Sequence, residues 1–354
     1  MADLTERLVA QLRAASADRT PLRVVGGNTK WFYGRELPGA NTSRFEVAGH
    51  SGIVHYDPAE LVITARGGTP LTEIVDALAT QGQHLPFEPP GFGAAATLGG
   101  TIAAGLAGPS RHAAGPVRDY VLGTRVLTGD GRVLRFGGEV MKNVAGYDVA
   151  RLMTGSLGIL GVLLDVSVKV LPRPLESRTY AHPVDQAAAL VRMSQLARTG
   201  LPVTGSAWLG GRWYVRLEGS PKALDAAVAQ VGGELVYHGS GFWRGLREQT
   251  NPFLANAAQL WRVTIPAHTP PLAIDAQPCI EWNGMQRWYV DVAPEPLTSL
   301  AEAAGGHVTL FRGSFGDGEV FAPLAPAVLR LHRSLKAVFD PAGVLNPGRM
   351  YAGL

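Results

Sequence analysis

The hydrophobic positions near the amino terminus predict two amphipathic helices. The first covers residues 3–15, with Asp3 as its expected N-cap, and its apolar face consists of Leu4, Leu8, Val9 and Leu12. The second begins at Thr69 and Pro70 and ends at Gly82, and its apolar face consists of Leu71, Ile74, Val75 and Leu78. Because each helix has a single apolar face, both are expected to pack on a sheet.

Short apolar runs predict the strands of that sheet. They occupy residues 22–25, 61–65 and 162–171, and residues 120–136 are typical of a hairpin that turns at Asp130-Gly131. The mixture of helices with hairpin-connected strands predicts an α+β fold.

Residues 173–329 alternate short strands with amphipathic helices, which predicts an antiparallel sheet covered on one side by helices. Residues 211–236 and 286–309 form an internal repeat: each copy has an Arg-Trp-Tyr-Val strand, a helix and a strand that follows Gly-Gly. Gly210-Gly211 and Asn283-Gly284 are the expected hairpin turns. The repeat predicts a pseudo-twofold domain, and its aromatic residues are interpreted as sheet packing rather than a substrate pocket: Trp208, Trp213, Trp282 and Trp288.

Three glycine-rich clusters interrupt the first half, each next to a predicted strand. They lie at residues 26–30, 89–105 and 155–161. Glycine allows a positive φ and a close backbone approach, so consecutive N–H groups can surround a pyrophosphate, and a helix starting near Gly99 is expected to point its N-terminal N–H groups at an anion. Taken singly, each cluster has an ordinary alternative as a tight turn or a closely packed helix.

Composition narrows the classes of protein that the chain can belong to. With 354 residues, 46% hydrophobic and 17% charged, it has enough apolar material for two domains and is not a disordered protein. The net charge of +3 without a basic run argues against nucleic-acid binding. The single cysteine, Cys279, excludes an internal disulfide, an iron–sulfur cluster and a thiolate metal site, and it is expected to be a buried strand residue.

The sequence gives no sign of export or of a membrane span. The first residues lack the basic and apolar stretches of a signal peptide. The most apolar segment, residues 155–168, contains Asp165 and is shorter than the roughly 20 residues that a spanning helix needs. A cytoplasmic location is expected, with any membrane association made through a partner.

The order of the three clusters resembles the FAD-binding domain of the family related to p-cresol methylhydroxylase and vanillyl-alcohol oxidase. Residues 339–348, Phe-Asp-Pro-Ala-Gly-Val-Leu-Asn-Pro-Gly, resemble the closing motif of that family. The resemblance implies an FAD-binding domain of two α+β subdomains at residues 1–172, a cap domain with the internal repeat at residues 173–329, and a C-terminal segment, residues 330–354, that returns to the FAD domain.

The same resemblance implies the cofactor site. The first two clusters are expected to hold the pyrophosphate, the third is expected to line the adenine and ribose end, and Asn346 is expected to lie near the flavin. The implied FAD-binding residues are Gly26, Gly27, Asn28, Thr29, Lys30, Pro90, Gly91, Thr97, Leu98, Gly99, Gly100, Ala103, Gly155, Gly158, Ile159 and Asn346. Many family members attach FAD to a histidine of the first loop, but no histidine precedes His50, so FAD is expected to bind non-covalently.

A narrower resemblance comes from residues 142–148, Lys-Asn-Val-Ala-Gly-Tyr-Asp, followed by Leu152 and Gly155-Ser156-Leu157-Gly158. This segment resembles the FAD-carrying E subunits of bacterial glycolate oxidases. It implies an FAD-dependent oxidoreductase acting on the CH–OH group, which oxidises glycolate, or another small 2-hydroxy acid such as D-lactate, to the 2-oxo acid. The implied partners are a catalytic FAD-containing subunit and an iron–sulfur subunit, and the complex would attach the chain peripherally to the inner membrane.

The sequence offers no clear catalytic base. Among nine histidines only His50 and His55 lie within seven residues of each other, so the metal-assisted site of related 2-hydroxy-acid dehydrogenases is not expected. The weak candidates for binding or protonating a substrate are Arg111, His112, Arg118 and Tyr147, each with an alternative as a surface or structural residue. A stand-alone FAD-dependent dehydrogenase and a non-catalytic structural subunit therefore stay open as alternatives.

Overall fold

The computed structural model describes residues 2–37, 42–138, 148–314 and 318–354. The chain forms two compact units. The first unit comprises Met1–Leu106, Pro116–Pro172 and Pro323–Leu354, and the second comprises Ala107–Gly115 and Arg173–Ala322.

Helices and strands are numbered in chain order. The strands are β1 (Leu22–Val25), β2 (Ser43–Glu46), β3 (Ile53–Asp57), β4 (Val62–Arg66), β5 (Gln83–His84), β6 (Val121–Leu127), β7 (Val133–Gly137), β8 (Val162–Lys169), β9 (Leu171–Pro172), β10 (Glu176–Pro183), β11 (Val203–Leu209), β12 (Arg212–Gly219), β13 (Glu234–Leu235), β14 (Leu260–Thr264), β15 (Cys279–Glu281), β16 (Gln286–Val290) and β17 (His307–Arg312). The helices are α1 (Thr5–Ala17), α2 (Leu71–Thr80), α3 (Leu98–Ala104), α4 (Arg111–Ala114), α5 (Val149–Leu152), α6 (Gln186–Leu196), α7 (Pro221–Val231), α8 (Gly239–Arg247), α9 (Pro252–Ala255), α10 (Pro294–Ala303) and α11 (Pro326–Phe339).

The first unit contains two layers of sheet structure that meet at the predicted glycine clusters. Strands β1 and β2 pair in parallel, and a five-stranded antiparallel sheet has the order β3-β4-β8-β6-β7. One core joins α1, β1, β2 and β8 to the C-terminal segment, through buried residues that include Leu8, Leu12, Phe45, Leu164 and Leu345. The C-terminal segment is therefore part of the first unit's core.

The second unit contains an eight-stranded antiparallel sheet whose order displays the internal repeat. The order is β13-β10-β12-β11-β15-β16-β14-β17. Within each half the strands run fourth, first, third, second from the outer edge, which is the strand order of a ferredoxin-like unit, and the halves meet at β11 and β15. Among the described residues, only the first half has a helix, α6, between its first two strands. Each half has its own hydrophobic core, and the four predicted packing tryptophans are all at most 7% exposed. The predicted repeat is confirmed.

The two predicted amino-terminal helices exist, with differences at their ends. Helix α1 begins at Thr5 with Leu4 in the N-cap position, and the Asp3 carboxylate accepts a hydrogen bond from the Thr5 N–H at 2.9 Å. The prediction that Asp3 is the N-cap is therefore wrong by one residue. The N-cap position of α2 is held by Pro70, while the Thr69 hydroxyl bonds to the backbone of Gly52.

Two further local predictions need correction. Val75 was expected on the apolar face of α2, but it is 40% exposed. The strand predicted at residues 61–65 is shifted by one position, to Val62–Arg66, because Leu61 has a left-handed φ of 57° and cannot continue a strand. The hairpin at Asp130-Gly131 and the buried position of Cys279 on β15 are confirmed. Within the described ranges, no helix combines the length and the apolar character needed to cross a membrane.

Candidate cofactor site

The first glycine loop, residues 26–30, leaves strand β1 and forms one wall of a cleft. Gly27 needs to be glycine, since an ideal Cβ there would lie 1.5 Å from the carbonyl oxygen of Ala95. Asn28 has a left-handed φ of 57°, and its side-chain oxygen accepts a hydrogen bond from Arg23 at 2.9 Å. Among the described residues, the backbone N–H groups of residues 26–29 have no hydrogen-bond acceptor. Such a run of unpaired N–H groups is suited to an anion.

The second glycine cluster contributes space rather than hydrogen-bond donors. Helix α3 begins after its N-cap Thr97, as the sequence predicts near Gly99. Its first N–H groups are paired inside the protein: Leu98 donates to Thr69, Gly99 to Gly67 at 2.8 Å, and Gly100 to the Thr97 hydroxyl. The prediction that these N–H groups point at an anion is therefore wrong. Gly99 serves close packing, because a Cβ there would lie 2.8 Å from the Gly67 oxygen.

Asn346 connects the C-terminal segment to both the first and the third glycine clusters. Its side-chain oxygen accepts from the N–H of Val24 at 2.8 Å, and its side-chain nitrogen donates to the carbonyl of Leu157 at 2.7 Å. Its own N–H donates to Leu22. The Asn346 side chain is buried, with 3% of its surface exposed. Its two hydrogen bonds hold strand β1 beside the loop around Gly158. Asn346 therefore shapes the cleft through protein contacts.

The cleft consists of two adjoining cavities that share part of their lining. Seven residues line both cavities and make them continuous: Val24, Gly26, Thr97, Gly100, Ala103, Leu157 and Asn346. The predicted cofactor residues that line one cavity or both are Gly26, Gly27, Asn28, Thr29, Lys30, Thr97, Gly99, Gly100, Ala103, Gly158 and Asn346. A lining of glycines, unpaired backbone N–H groups and a lysine is suited to a phosphate-bearing ligand.

The other five predicted cofactor residues do not line these cavities. They are Pro90, Gly91, Leu98, Gly155 and Ile159. Leu98 and Ile159 are core residues, 0% and 3% exposed. Gly91 is linked to the first loop, because its carbonyl accepts a hydrogen bond from the Lys30 ammonium at 3.2 Å. Lys30 thus joins the first two clusters.

Sequence reasoning missed two parts of the cleft wall. Gly67 lines the second cavity directly after strand β4, and a Cβ there would lie 2.1 Å from the Leu163 oxygen. The signal was present, since Gly67-Gly68 follows a strand as Gly26-Gly27 does. Arg349 lines the first cavity from the C-terminal segment, and no local pattern marks it.

Positive charge collects at the first loop. The Arg23 and Arg349 guanidinium carbons lie 3.7 and 3.9 Å from the ring centroid of Trp31, the residue that follows the loop. With Lys30, whose ammonium lies 5.9 Å from the Phe92 ring centroid, three cations lie on or beside the loop that carries the unpaired N–H groups. This electrostatic environment favours a negatively charged ligand.

Two of the weak catalytic candidates are neighbours on a short helix. Arg111 and His112 lie on α4, in the second unit rather than in the first-domain loops where the sequence analysis placed them. The reason is packing within that unit: the Arg111 guanidinium lies 4.6 Å from the Trp282 ring centroid, and the Trp282 indole donates to the Gly108 carbonyl.

The remaining two candidates are Arg118 and Tyr147. Arg118 belongs to the first unit, is 68% exposed and lies 3.9 Å from Asp119. Tyr147 and most of the motif at residues 142–148 lie outside the described residues. Across the described part of the chain, no group of three histidine, cysteine, aspartate or glutamate side chains is arranged to hold a metal ion.

Comparison with known proteins identifies the family. Glycolate oxidase subunit GlcE of Escherichia coli (strain K12) is 47% identical over 353 residues, which cover 99% of this chain and 99% of that protein. The chain belongs to the glycolate oxidase subunit GlcE family. Residues 2–137 also match the family described as FAD binding domain, which confirms the predicted cofactor.

More distant relatives share the architecture of this GlcE-family chain. Glycolate oxidase subunit GlcD of Bacillus subtilis (strain 168) is 24% identical, over 85% of this chain and 77% of that protein. The solved structure of 4-ethylphenol oxidase from Gulosibacter chungangensis superposes with a TM-score of 0.70 at 15% identity, covering 99% of this chain and 88% of that one. The predicted fold, an α+β FAD-binding domain with an antiparallel cap, is confirmed.

Proposed function

We propose that this chain is the FAD-carrying subunit of a glycolate oxidase complex, which oxidises glycolate to glyoxylate and acts on related small 2-hydroxy acids such as D-lactate. The observation that carries this proposal is the 47% identity to GlcE along nearly the whole length of both chains. The cleft supports it independently, because its unpaired N–H groups and the cations beside them suit a pyrophosphate.

The residues of the first unit fit FAD. The N–H groups of residues 26–29 would hold the pyrophosphate, and Lys30 would supply a nearby positive charge. The close approach of Gly27 to Ala95 and of Gly99 to Gly67 leaves no room for side chains where the loops meet. When bound, FAD supplies the two-electron acceptor that alcohol oxidation needs. Attachment is non-covalent in this proposal, since the first loop has no histidine and the nearest, His50, is 0% exposed and accepts a hydrogen bond from the Leu4 N–H.

Electrons must leave this chain through a partner. Iron–sulfur clusters need several cysteine ligands, and this chain has only Cys279, which is 0% exposed on β15. We therefore propose that a separate iron–sulfur subunit carries the cluster. We also propose that the complex contains a catalytic flavoprotein subunit. The same complex would hold this chain at the inner face of the cytoplasmic membrane.

The first test is flavin content. The chain is expressed alone, freed of loose ligands, and its visible absorption is recorded before and after acid precipitation. Release of FAD into the supernatant is the expected result. A folded but colourless protein would overturn the redox role and leave a structural subunit.

The second test separates a subunit from a stand-alone enzyme. Glycolate-dependent reduction of an artificial electron acceptor is measured for the isolated chain and for the chain co-expressed with its flavoprotein and iron–sulfur partners. We expect activity only in the co-expressed complex. Full glycolate turnover by the isolated chain would instead establish a stand-alone dehydrogenase.

A further inference from the structure

Arg349 is a buried cation on the wall of the cleft. It is 2% exposed, and its guanidinium donates hydrogen bonds to the backbone carbonyls of Trp31, Tyr33 and Arg35, that of Tyr33 at 2.8 Å. Among the described residues no carboxylate lies within ion-pairing distance, and Glu36 acts on it only at longer range. Three of its five N–H groups are thus paired with backbone carbonyls, but its charge has no direct counterion among the described residues.

The chain that leaves the first glycine loop is wrapped around this guanidinium. Gly34 has a φ of 115°, and a Cβ there would lie 3.2 Å from the guanidinium carbon, so glycine allows the close approach. The N–H of Arg35 donates back to the Arg349 carbonyl at 2.9 Å. Residues 31–35 and Arg349 therefore hold each other in place.

This contact fixes one end of the first loop, and Asn346 fixes the other. The Asn346 side chain holds Val24, just before residues 26–30, and Arg349 holds Trp31, just after them. The local backbone hydrogen bonds of the loop are those from Trp31 to Asn28, at a long 3.4 Å, and from Tyr33 to Lys30 at 3.1 Å. The unpaired N–H groups thus depend on anchors supplied by the C-terminal segment.

The charge of Arg349 is costly without a ligand. Burial lowers its pKa to about 10, so it stays protonated at neutral pH in a place that disfavours the charged form. An anion entering the cleft would compensate that charge.

We propose that Arg349 is a positioning residue for the pyrophosphate: it clamps the exit of the first glycine loop and supplies the buried positive charge that the pyrophosphate neutralises. This inference rests on the proposed FAD binding. It predicts that affinity for any ligand with the pyrophosphate depends on Arg349, whether or not the ligand carries a flavin ring.

The test measures ligand affinity of the full-length chain stripped of flavin. FAD binding is followed by fluorescence quenching, and ADP, which has the pyrophosphate without the flavin, is measured by competition. For Arg349→Met we expect both dissociation constants to rise by about tenfold to a hundredfold, the range that charge-assisted hydrogen bonds contribute. Arg349→Lys keeps the charge but cannot reach all three carbonyls, so we expect partial rescue. If Arg349→Met does not fold, the dissociation constants of the milder variant Arg349→Lys test the proposal.

Arg287→Met is the matched control. Arg287 is 0% exposed and donates to the carbonyls of Thr269, Pro270 and Gly284, but it belongs to the second unit. This variant should lower the melting temperature and leave both dissociation constants within twofold. The inference is overturned if folded Arg349→Met binds FAD or ADP as wild type does, if Arg349→Lys equals wild type, or if Arg287→Met loses affinity equally. A wild-type chain that binds no FAD would instead refute the proposed function.

Discussion

The first glycine loop depends on a position where a side chain cannot exist. Gly27 approaches the carbonyl oxygen of Ala95 so closely that an added Cβ would overlap it, at 1.5 Å. The obstacle is backbone, which cannot rotate away as a flexible side chain would. Relief therefore requires the loop or the segment before α3 to move, and the cleft lies between them.

Gly27→Ala should abolish FAD retention. The overlap with Ala95 should cost about 1–3 kcal/mol of stability, as overpacked sites do, and should displace the unpaired N–H groups. Flavin per chain and the melting temperature are the measurements. Gly241→Ala is the control: it lies in α8 with no atom within 4 Å of an added Cβ, and it should stabilise the chain by up to about 1 kcal/mol. A flavin-replete Gly27→Ala protein would contradict the proposed role of this loop.

A buried ion pair organises the C-terminal segment. The Lys336 ammonium donates to Asp340 at 2.6 Å and to the carbonyls of Ile159 and Leu345, so all three of its protons are used. Asp340 in turn accepts from the N–H groups of Val344 and Leu345. Neither charged group has another way to be compensated if its partner is lost.

Lys336→Met should lower the free energy of unfolding by about 3–5 kcal/mol, because it leaves the Asp340 carboxylate buried without its cation. Urea denaturation gives the value. Lys222→Met, at an exposed position of α7, should change it by no more than about 0.5 kcal/mol. Equal stability of the two variants would show that the pair contributes nothing.

At the scale of elements, the two halves of the second unit use different turns at equivalent hairpins. Strands β11 and β12 are joined by Gly210-Gly211, with φ values of 58° and 75°. Strands β15 and β16 are joined by residues 282–285, in which Trp282 and Asn283 have φ values of 53° and 55° and Gly284 has a φ of 94°. A left-handed backbone at these turns is therefore a property of the hairpins rather than of glycine itself.

The comparison of the two turns predicts how Gly210 responds to substitution. Gly210→Ala should cost about 1–2 kcal/mol, because alanine resists the left-handed region. Gly210→Asn should cost markedly less, because asparagine tolerates that region, as Asn283 does in the other half. No neighbouring atom lies within 4 Å of an added Cβ, so packing does not confound the pair. The melting temperatures of both variants test this explanation, and equal losses of stability would contradict it.

Elements with local signals were predictable, and contacts across the chain were not. The hairpin at Asp130-Gly131, helix α3 and the internal repeat follow from turn residues and periodicity. Arg349 holds carbonyls more than 300 residues away in the sequence, which no local pattern encodes. The N–H groups of α3 were misjudged for the same reason: their acceptors, Thr69 and Gly67, come from another segment.

At the scale of the whole molecule, each of the two units is built from segments that are not contiguous in the sequence. Residues 107–115 lie between parts of the first unit in sequence, yet they pack on the Trp282 turn. The resemblance implied one FAD domain at residues 1–172 and so included this segment, because position in the sequence does not reveal the partner against which a segment packs.

The two units should respond differently to mild acid. In the second unit, burial lowers the pKa of His182 and His307 from 6.5, and Arg192 and Arg262 respectively lower it further, while Glu234 partly opposes the shift at His182. Because the folded state then binds fewer protons than the unfolded state, the associated stability is complete above pH 6.5 and is lost as the pH falls through the folded-state pKa values. In the first unit, hydrogen bonds to Thr5 lower the pKa of Asp3 from 3.8 to about 2, so its contribution disappears only between those values.

Tryptophan fluorescence can isolate this effect, because six of the seven tryptophans, all except Trp31, lie in the second unit. We expect the urea midpoint reported by tryptophan to fall between pH 7 and pH 5. The double variant His182→Gln, His307→Gln should flatten this dependence, since neither position can then take up a proton. The control His332→Gln, at a half-buried position of α11 in the first unit, should leave it unchanged. An undiminished pH dependence in the double variant would show that other groups destabilise the second unit in acid.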